Sequence, residues 1–98
     1  MTSDHADRTA AEAALARLVR RLRGFSRRAW AQGATESRIR ALAEALVVIG
    51  GEGHQLPSDL PVHALADVVA VVGHDALNVE GAAPAVQALL LDALDATR

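Results

Sequence analysis

"TAAEAALARLVRRLRGFSRRAWAQG", residues 9–33, is the stretch that decides the fold. When it is placed on a helix at about 100° per residue, its larger apolar side chains fall within an arc of about 140°. This apolar set consists of Leu15, Leu18, Val19, Leu22, Phe25, Ala29 and Trp30. The opposite side carries arginines, so the period predicts a helix with one buried face and one basic face.

Local signals set the expected ends of this helix. Thr9 and Glu12 have the spacing of a capping box, in which each side chain accepts the other residue's backbone N–H. Gly33 is a C-terminal stop signal. Gly24 lies on the polar face, where it costs about 1 kcal/mol relative to Ala and predicts either a kink or a break into two shorter helices. We therefore expect a disordered tail at residues 1–8 and a single helical domain at residues 9–98.

A second helix is predicted over residues 35–51, "TESRIRALAEALVVIGG". Thr35 is its expected N-cap, and Glu36 and Arg40 are spaced for an ion pair one turn apart. Two glycines, Gly50 and Gly51, are expected to end it. The expected buried face consists of Ile39, Leu42, Ala43, Leu46 and Ile49.

Two further helices are predicted in the second half of the chain. One covers residues 60–77, with Asp59 as its cap and Pro61 in its first turn. Its valines at residues 68–72 fit a short buried strand as an alternative. The other begins at Pro84. The expected buried residues are Val62, Leu65, Ala66, Val69, Val72 and Ala76 in the first, and Val86, Leu89, Leu90, Ala93 and Leu94 in the second.

Short connections between these helices predict an all-α fold, a small four-helix up-and-down bundle. The alternative is a three-helix bundle with an appended helix. An unbroken first helix of about 22 residues would be about 33 Å long, against about 22 Å for a 15-residue partner. The surplus length would pack on another copy of the chain, so we expect a homodimer.

The charge is divided unequally along the chain. Residues 1–40 carry nine arginines and four acids, whereas residues 41–98 carry one arginine and eight acids. The two parts therefore have charges of +5 and −7, which give the net charge of −2. Such asymmetry is typical of a surface that engages an oppositely charged partner or pairs with the other half of the fold.

Composition narrows the class of protein further. Every basic residue except histidine is an arginine, which suggests a GC-rich bacterial source. No cysteine is present, so disulfides, thiolate nucleophiles and cysteine metal sites are excluded. The first residues do not resemble a secretory signal peptide, and no apolar run is long enough to span a bilayer. We therefore expect a cytoplasmic protein.

"VVIGGEGHQ", residues 47–55, resembles a phosphate-binding loop at first sight. A dinucleotide fingerprint would need a third glycine where Leu56 stands, and Pro57 follows where a helix should continue. A P-loop needs a lysine, and the chain has none. The stretch is better interpreted as the end of the second helix followed by a loop, and no cofactor is expected.

Metal binding and catalysis have little support in the sequence. His63 and Asp67 have the i, i+4 spacing that lets two side chains hold one ion, but a further ligand would have to come from His54 or another subunit. Solvated polar residues on a helix face are the alternative interpretation. No serine has the glycines of a nucleophile elbow around it, so we expect a protein without enzymatic activity.

The arginine face of the first helix is the remaining candidate site. It consists of Arg17, Arg20, Arg21, Arg23, Arg27 and Arg28. No acid lies between the first and the last of these residues. The leading hypothesis is a small adaptor or regulatory protein that binds a protein partner through this face. The first alternative is a nucleic-acid-binding regulator that contacts phosphates, and the second is a metal-dependent enzyme. A further interpretation is that the acidic half of the fold neutralises the arginines internally.

Overall fold

The computed structural model describes the backbone of residues 2–51, 56–57 and 59–98, with side chains described from His5 onward. Over this part of the chain the protein forms five α-helices and a 3-10 turn at Val62–Ala64. The helices are α1 (Thr2–Arg23), α2 (Arg27–Ala31), α3 (Thr35–Gly50), α4 (Leu65–Leu77) and α5 (Ala83–Ala96). The all-α prediction is confirmed, and in the described residues the strand considered for residues 68–72 is α-helix instead.

The start of α1 differs from the expectation. The helix begins at Thr2 and runs through residues 2–8 without interruption. The Thr9 hydroxyl donates to the His5 carbonyl, one turn back, and the Glu12 carboxylate accepts from Arg8 at 2.9 Å. The predicted capping box is therefore wrong, because both of its side chains are engaged within the helix. The division into a tail at residues 1–8 and a domain at residues 9–98 stays a prediction.

A break separates α1 from α2, so residues 9–33 are not one helix. The N–H of Gly24 donates to the Arg21 carbonyl and the N–H of Phe25 to the Leu22 carbonyl, both at 3.1 Å. These i to i−3 bonds tighten the last turn and end the helix. Ser26 then caps α2, its hydroxyl accepting from the N–H of Ala29 at 3.1 Å. A kink and a break were the two alternatives at Gly24, and the structure shows the break, after which Ser26 caps the new helix.

α3 ends at a left-handed glycine and begins without a side-chain cap. Gly51 adopts a left-handed conformation with φ 70°, and its N–H donates to the carbonyls of Val47 and Val48. The predicted stop is therefore confirmed, and residues 47–49 belong to the helix. Thr35 is the first helical residue rather than the N-cap, which is Ala34. Residues 52–55 lie outside the described part of the chain.

The entry into α4 is a 3-10 turn rather than the expected helix from residue 60. Pro61 is extended, with ψ 150°, and its carbonyl accepts from the N–H of Ala64. The α-helix begins only at Leu65, so Asp59 is not its cap. Pro61 is therefore the N-cap of the 3-10 turn rather than a residue of the first helical turn. Pro84 lies in the first turn of α5, as predicted.

The four long helices pack around a common core. α1 lies mainly against α5 and α4, and α3 lies mainly against α4, with a looser contact to α5. The short α2 packs against α3. A four-helix bundle is compatible with these contacts. The Cα radius of gyration is 13.0 Å, as expected for a compact domain of about 100 residues.

The core is built from Leu, Ala, Val and Ile with a single tryptophan, and no described polar side chain is buried in it. Small residues allow close approach of the helices. At Gly73 in α4, an added Cβ would lie 2.7 Å from Cδ1 of Leu15 in α1. The largest fully buried side chains are Leu18, Leu22, Ile39, Leu46, Leu65, Leu90, Val69 and Val86. Among the helices of the described chain, none combines the length and hydropathy needed to cross a membrane.

Adjacent leucines in α5 provide a test of this core. Leu90 is fully buried, whereas Leu91 is 45% exposed. Replacement of Leu90 by Ala should lower the free energy of unfolding by about 2–5 kcal/mol, because it removes buried methyl groups and leaves a cavity. Leu91→Ala has the same chemistry and should cost far less. Urea unfolding followed by circular dichroism measures both, and equal losses would show that α5 is packed differently.

Candidate functional site

The six arginines of the candidate site lie on two helices rather than one. Arg17, Arg20, Arg21 and Arg23 belong to α1, and Arg27 and Arg28 belong to α2. The turn at residues 24–26 separates the two groups. The expected single basic face is thus divided, and the members of the set have different environments.

Arg21 is engaged in the fold. Its Nη1 donates to the Leu94 carbonyl at 2.7 Å and to the Thr97 hydroxyl at 3.2 Å. The Thr97 hydroxyl donates in turn to the Ala93 carbonyl at 2.8 Å. Carbonyls in the last turn of a helix lack intrahelical donors and lie at the negative end of the helix dipole. The half-buried guanidinium of Arg21 therefore closes the C-terminus of α5.

Arg23 joins the end of α1 to the first turn of α4. Its Nη2 lies 2.9 Å from Oδ1 of Asp67. Both side chains are largely exposed, at 60% and 74% of their area. Such pairs contribute about 0–1 kcal/mol, so this contact orients the two helices more than it stabilises them. It is the one ion pair that the described structure forms between the arginine set and the acidic half.

Four arginines of the set are left at the surface. Arg17, Arg20, Arg27 and Arg28 are exposed, and within the described residues none of them forms an ion pair. We call these four residues the arginine surface. Within the fold, Arg23 is therefore neutralised by Asp67, and Arg21 caps α5. The arginine surface forms no such contact in the described residues.

Acidic residues border one edge of this surface. Arg17 lines a shallow groove between α1 and α5 together with Asp92 and Asp95. Asp95 also lies 3.3 Å from Arg98. The groove therefore alternates in sign, unlike a continuous positive track. A ligand lying along it would meet both guanidinium and carboxylate groups.

Two of the three metal candidates lie in the described part of the chain. His63 belongs to the 3-10 turn and Asp67 to the first turn of α4, and both line one cleft. Asp67 already accepts from Arg23. His54 lies outside the described residues. Among the side chains that the structure describes, no group of three or more His, Asp or Glu residues is placed to hold a metal ion.

A cleft beside the arginine surface was missed by the sequence analysis. The rings of Phe25 and Trp30 meet edge to face, with centroids 5.2 Å apart and an interplanar angle of 76°. They form one wall of a cleft of about 760 Å³, and Val62 and His63 line it on the opposite side. Both aromatics were expected in the core, and Phe25 is only partly buried. The sequence signal for this cleft is Ser26. It caps a new helix at this point and so changes the chain direction between Phe25 and Trp30.

Comparisons of this chain with protein-family models, with curated proteins and with solved structures found no match. The geometry and charge of the arginine surface and of the aromatic cleft are therefore the basis for a function. The two features adjoin, because Arg27 belongs to the arginine surface and also lines the cleft.

The division of the arginines gives a stability test. Arg21→Met keeps an apolar stem but removes the guanidinium, so the carbonyl of Leu94 loses its donor at 2.7 Å and keeps only the Thr97 hydroxyl at 3.3 Å. The free energy of unfolding should fall by about 1–2 kcal/mol. Arg20→Met is the matched control on the exposed side of the same helix, and it should leave the unfolding midpoint unchanged or raise it slightly because it removes a like charge next to Arg17. If the two variants lose equal stability in thermal unfolding, the capping role of Arg21 is wrong.

Proposed function

We propose that this protein is a small non-enzymatic adaptor or regulator that binds an acidic region of a protein partner through its arginine surface. One observation carries the proposal: four of the six clustered arginines stay exposed without an acidic partner in the described structure. Arginine presents five donors in a planar fork that matches carboxylates. Binding through such a surface depends on charge complementarity.

The closely spaced arginines of α1 repel one another in the free protein. This repulsion favours a role for them in binding a partner. Arg17 and Arg20, and Arg17 and Arg21, are like charges one helical turn apart. Like-charge pairs at these spacings destabilise a helix by about 0.2–0.5 kcal/mol each. Carboxylates supplied by a partner would relieve this repulsion. A helix that only needed solubility would gain more from interleaved glutamates.

The charge pattern favours a protein over a nucleic acid. Nucleic-acid phosphates require a continuous positive track, and affinity rises with the number of phosphates neutralised. Here the groove at Arg17 also holds Asp92 and Asp95, which would repel phosphates spaced regularly along a strand. An acidic region of a protein can instead place its carboxylates beside the arginines and away from these two aspartates.

A second copy of the chain is one source of the carboxylates, and we include a homodimer in the proposal. The acidic half exposes Asp75 and Asp92 on α4 and α5. The basic half of one copy facing the acidic half of another would satisfy both charge sets twice across a two-fold axis. Sedimentation over a dilution series should then give twice the chain mass of 10.2 kDa at low salt. A mass of one chain at every concentration and salt would remove the homodimer.

Charge reversal tests the arginine surface itself. Arg20→Glu places an acid at the exposed face of α1, and Arg38→Glu makes the same change at an exposed position of α3. A partner is first isolated by cross-linking in the source cells and identified, and its affinity is then measured for the wild type and both variants. Arg20→Glu should weaken binding at least about tenfold, because like charges face each other across the interface. Arg38→Glu should bind as the wild type does.

The same titration is repeated with duplex DNA and RNA at about 50 and 200 mM salt. Weak or no binding is expected. A protein partner that binds Arg20→Glu as tightly as the wild type would contradict the proposal. Tight duplex binding with a steep salt dependence would replace it with the nucleic-acid-binding regulator.

A further inference from the structure

The cleft beside the arginine surface has an apolar interior. Phe25 and Trp30 form one wall, and Val62 and Ala66 face them from the 3-10 turn and the first turn of α4. Leu22, at the end of α1, also lines it. The volume of about 760 Å³ lies within the range of ligand-binding clefts. The cleft is therefore large enough to take one or two apolar side chains of another molecule.

The charges at the rim of the cleft are partly paired. Asp67 accepts from Arg23, and Glu36 lies 2.9 Å from Nε of Arg40. Both carboxylates of the cleft are thus engaged with arginines of the same chain. Arg27 also lines the cleft, is exposed and forms no ion pair within the described residues. Because both carboxylates are paired, the guanidinium of Arg27 is the charge at the rim that can bind an incoming ligand.

We propose that this cleft receives an apolar side chain from an acidic segment of the protein partner, with a neighbouring carboxylate of that segment bound by Arg27. The inference rests on the proposed function and specifies the part of the partner that is recognised. An apolar anchor in a pocket with a charged neighbour at its rim is a common centre of binding energy in protein interfaces. The edge-to-face pair of Phe25 and Trp30 supplies a rigid wall for such an anchor.

Two observations favour a peptide segment over a free small molecule. The cleft is only partly enclosed, whereas sites for small molecules enclose most of the ligand surface. Arg27 lines the cleft, and Arg28 is its neighbour on α2. A segment can contact these two arginines while its anchor enters the cleft.

Trp30 provides a direct readout of the cleft. It is the single tryptophan of the chain, it is 8% exposed, and it lines the cleft. The probe is a capped, dye-labelled hexapeptide with two central leucines flanked on each side by two aspartates. Its anisotropy reports binding anywhere on the protein, and Trp30 emission reports occupation of the cleft. We expect saturable changes in both, with the same dissociation constant.

Two peptide controls separate the anchor from the charge. Alanines in place of the leucines should weaken binding at least about tenfold and abolish the Trp30 change, because the buried apolar area is lost. Asparagines in place of the aspartates should weaken binding about twofold to fivefold, as expected for an exposed ion pair.

A substitution that fills the cleft tests the same inference with a variant of the protein. Val62→Phe places a larger side chain in the cleft, and Val71→Phe makes the same change at a 61% exposed position of α4. Circular dichroism of both variants verifies folding. Val62→Phe should weaken peptide binding about tenfold, while Val71→Phe should bind as the wild type does.

The outcomes separate this inference from the proposed function. If the leucine and alanine peptides bind equally and Val62→Phe has no effect, the cleft is not the anchor site, whereas binding to the arginine surface still stands. If the leucine peptide gives no saturable signal up to about 1 mM, the cleft inference is overturned, and the partner titration with Arg20→Glu decides the proposed function alone.

Discussion

The turn at residues 24–26 is the constraint on which the rest of the structure depends. Gly24 and Phe25 close the last turn of α1 with i to i−3 bonds, and Ser26 begins α2. A straight helix from residue 2 to residue 31 would be about 45 Å long, whereas the 13 residues of α4 span about 20 Å. Trp30 would then project beyond the helices it must pack against. The turn brings it back to the core, where it is buried.

The same turn determines which arginines are free. Because α1 ends at Arg23, this residue reaches Asp67 at the start of α4. Close packing of α1 on α4, with Leu15 against Gly73, supports this contact. On the other flank of α1, Arg21 reaches the end of α5. The arginine surface consists of Arg17 and Arg20, which form no ion pair with the flanking helices in the described structure, and of the two arginines that the turn places on α2.

Periodicity and local signals predicted much of the fold from the sequence. The apolar faces of α3, α4 and α5, the stop at Gly51 and the break at Gly24 all depend on neighbouring residues, so a single sequence reveals them. The start of α1 and the entry into α4 were wrong. The helix extends upstream of Thr9 to Thr2 although most of these residues are weak helix formers, and after Asp59 a 3-10 turn precedes the α-helix.

The candidate site was less predictable. Which arginines stay exposed depends on which helix lies opposite each one, and periodicity within one helix does not contain that information. Arg21 and Arg20 are adjacent and chemically identical, yet one caps α5 and the other is exposed. The cleft is lined by residues from distant parts of the chain, with Phe25 and Trp30 after the turn and Val62 ahead of α4.

The most direct test of the turn at residues 24–26 is to measure the Cα chemical shifts along residues 9–33 in solution, together with nuclear Overhauser effects from the Trp30 ring. We predict helical shifts through Arg23, an interruption at residues 24–26, helical shifts again over Arg27–Ala31, and contacts between the rings of Trp30 and Phe25. Uninterrupted helical shifts through residue 31, without contacts between these two rings, would contradict the account. The arginines would then form one continuous face.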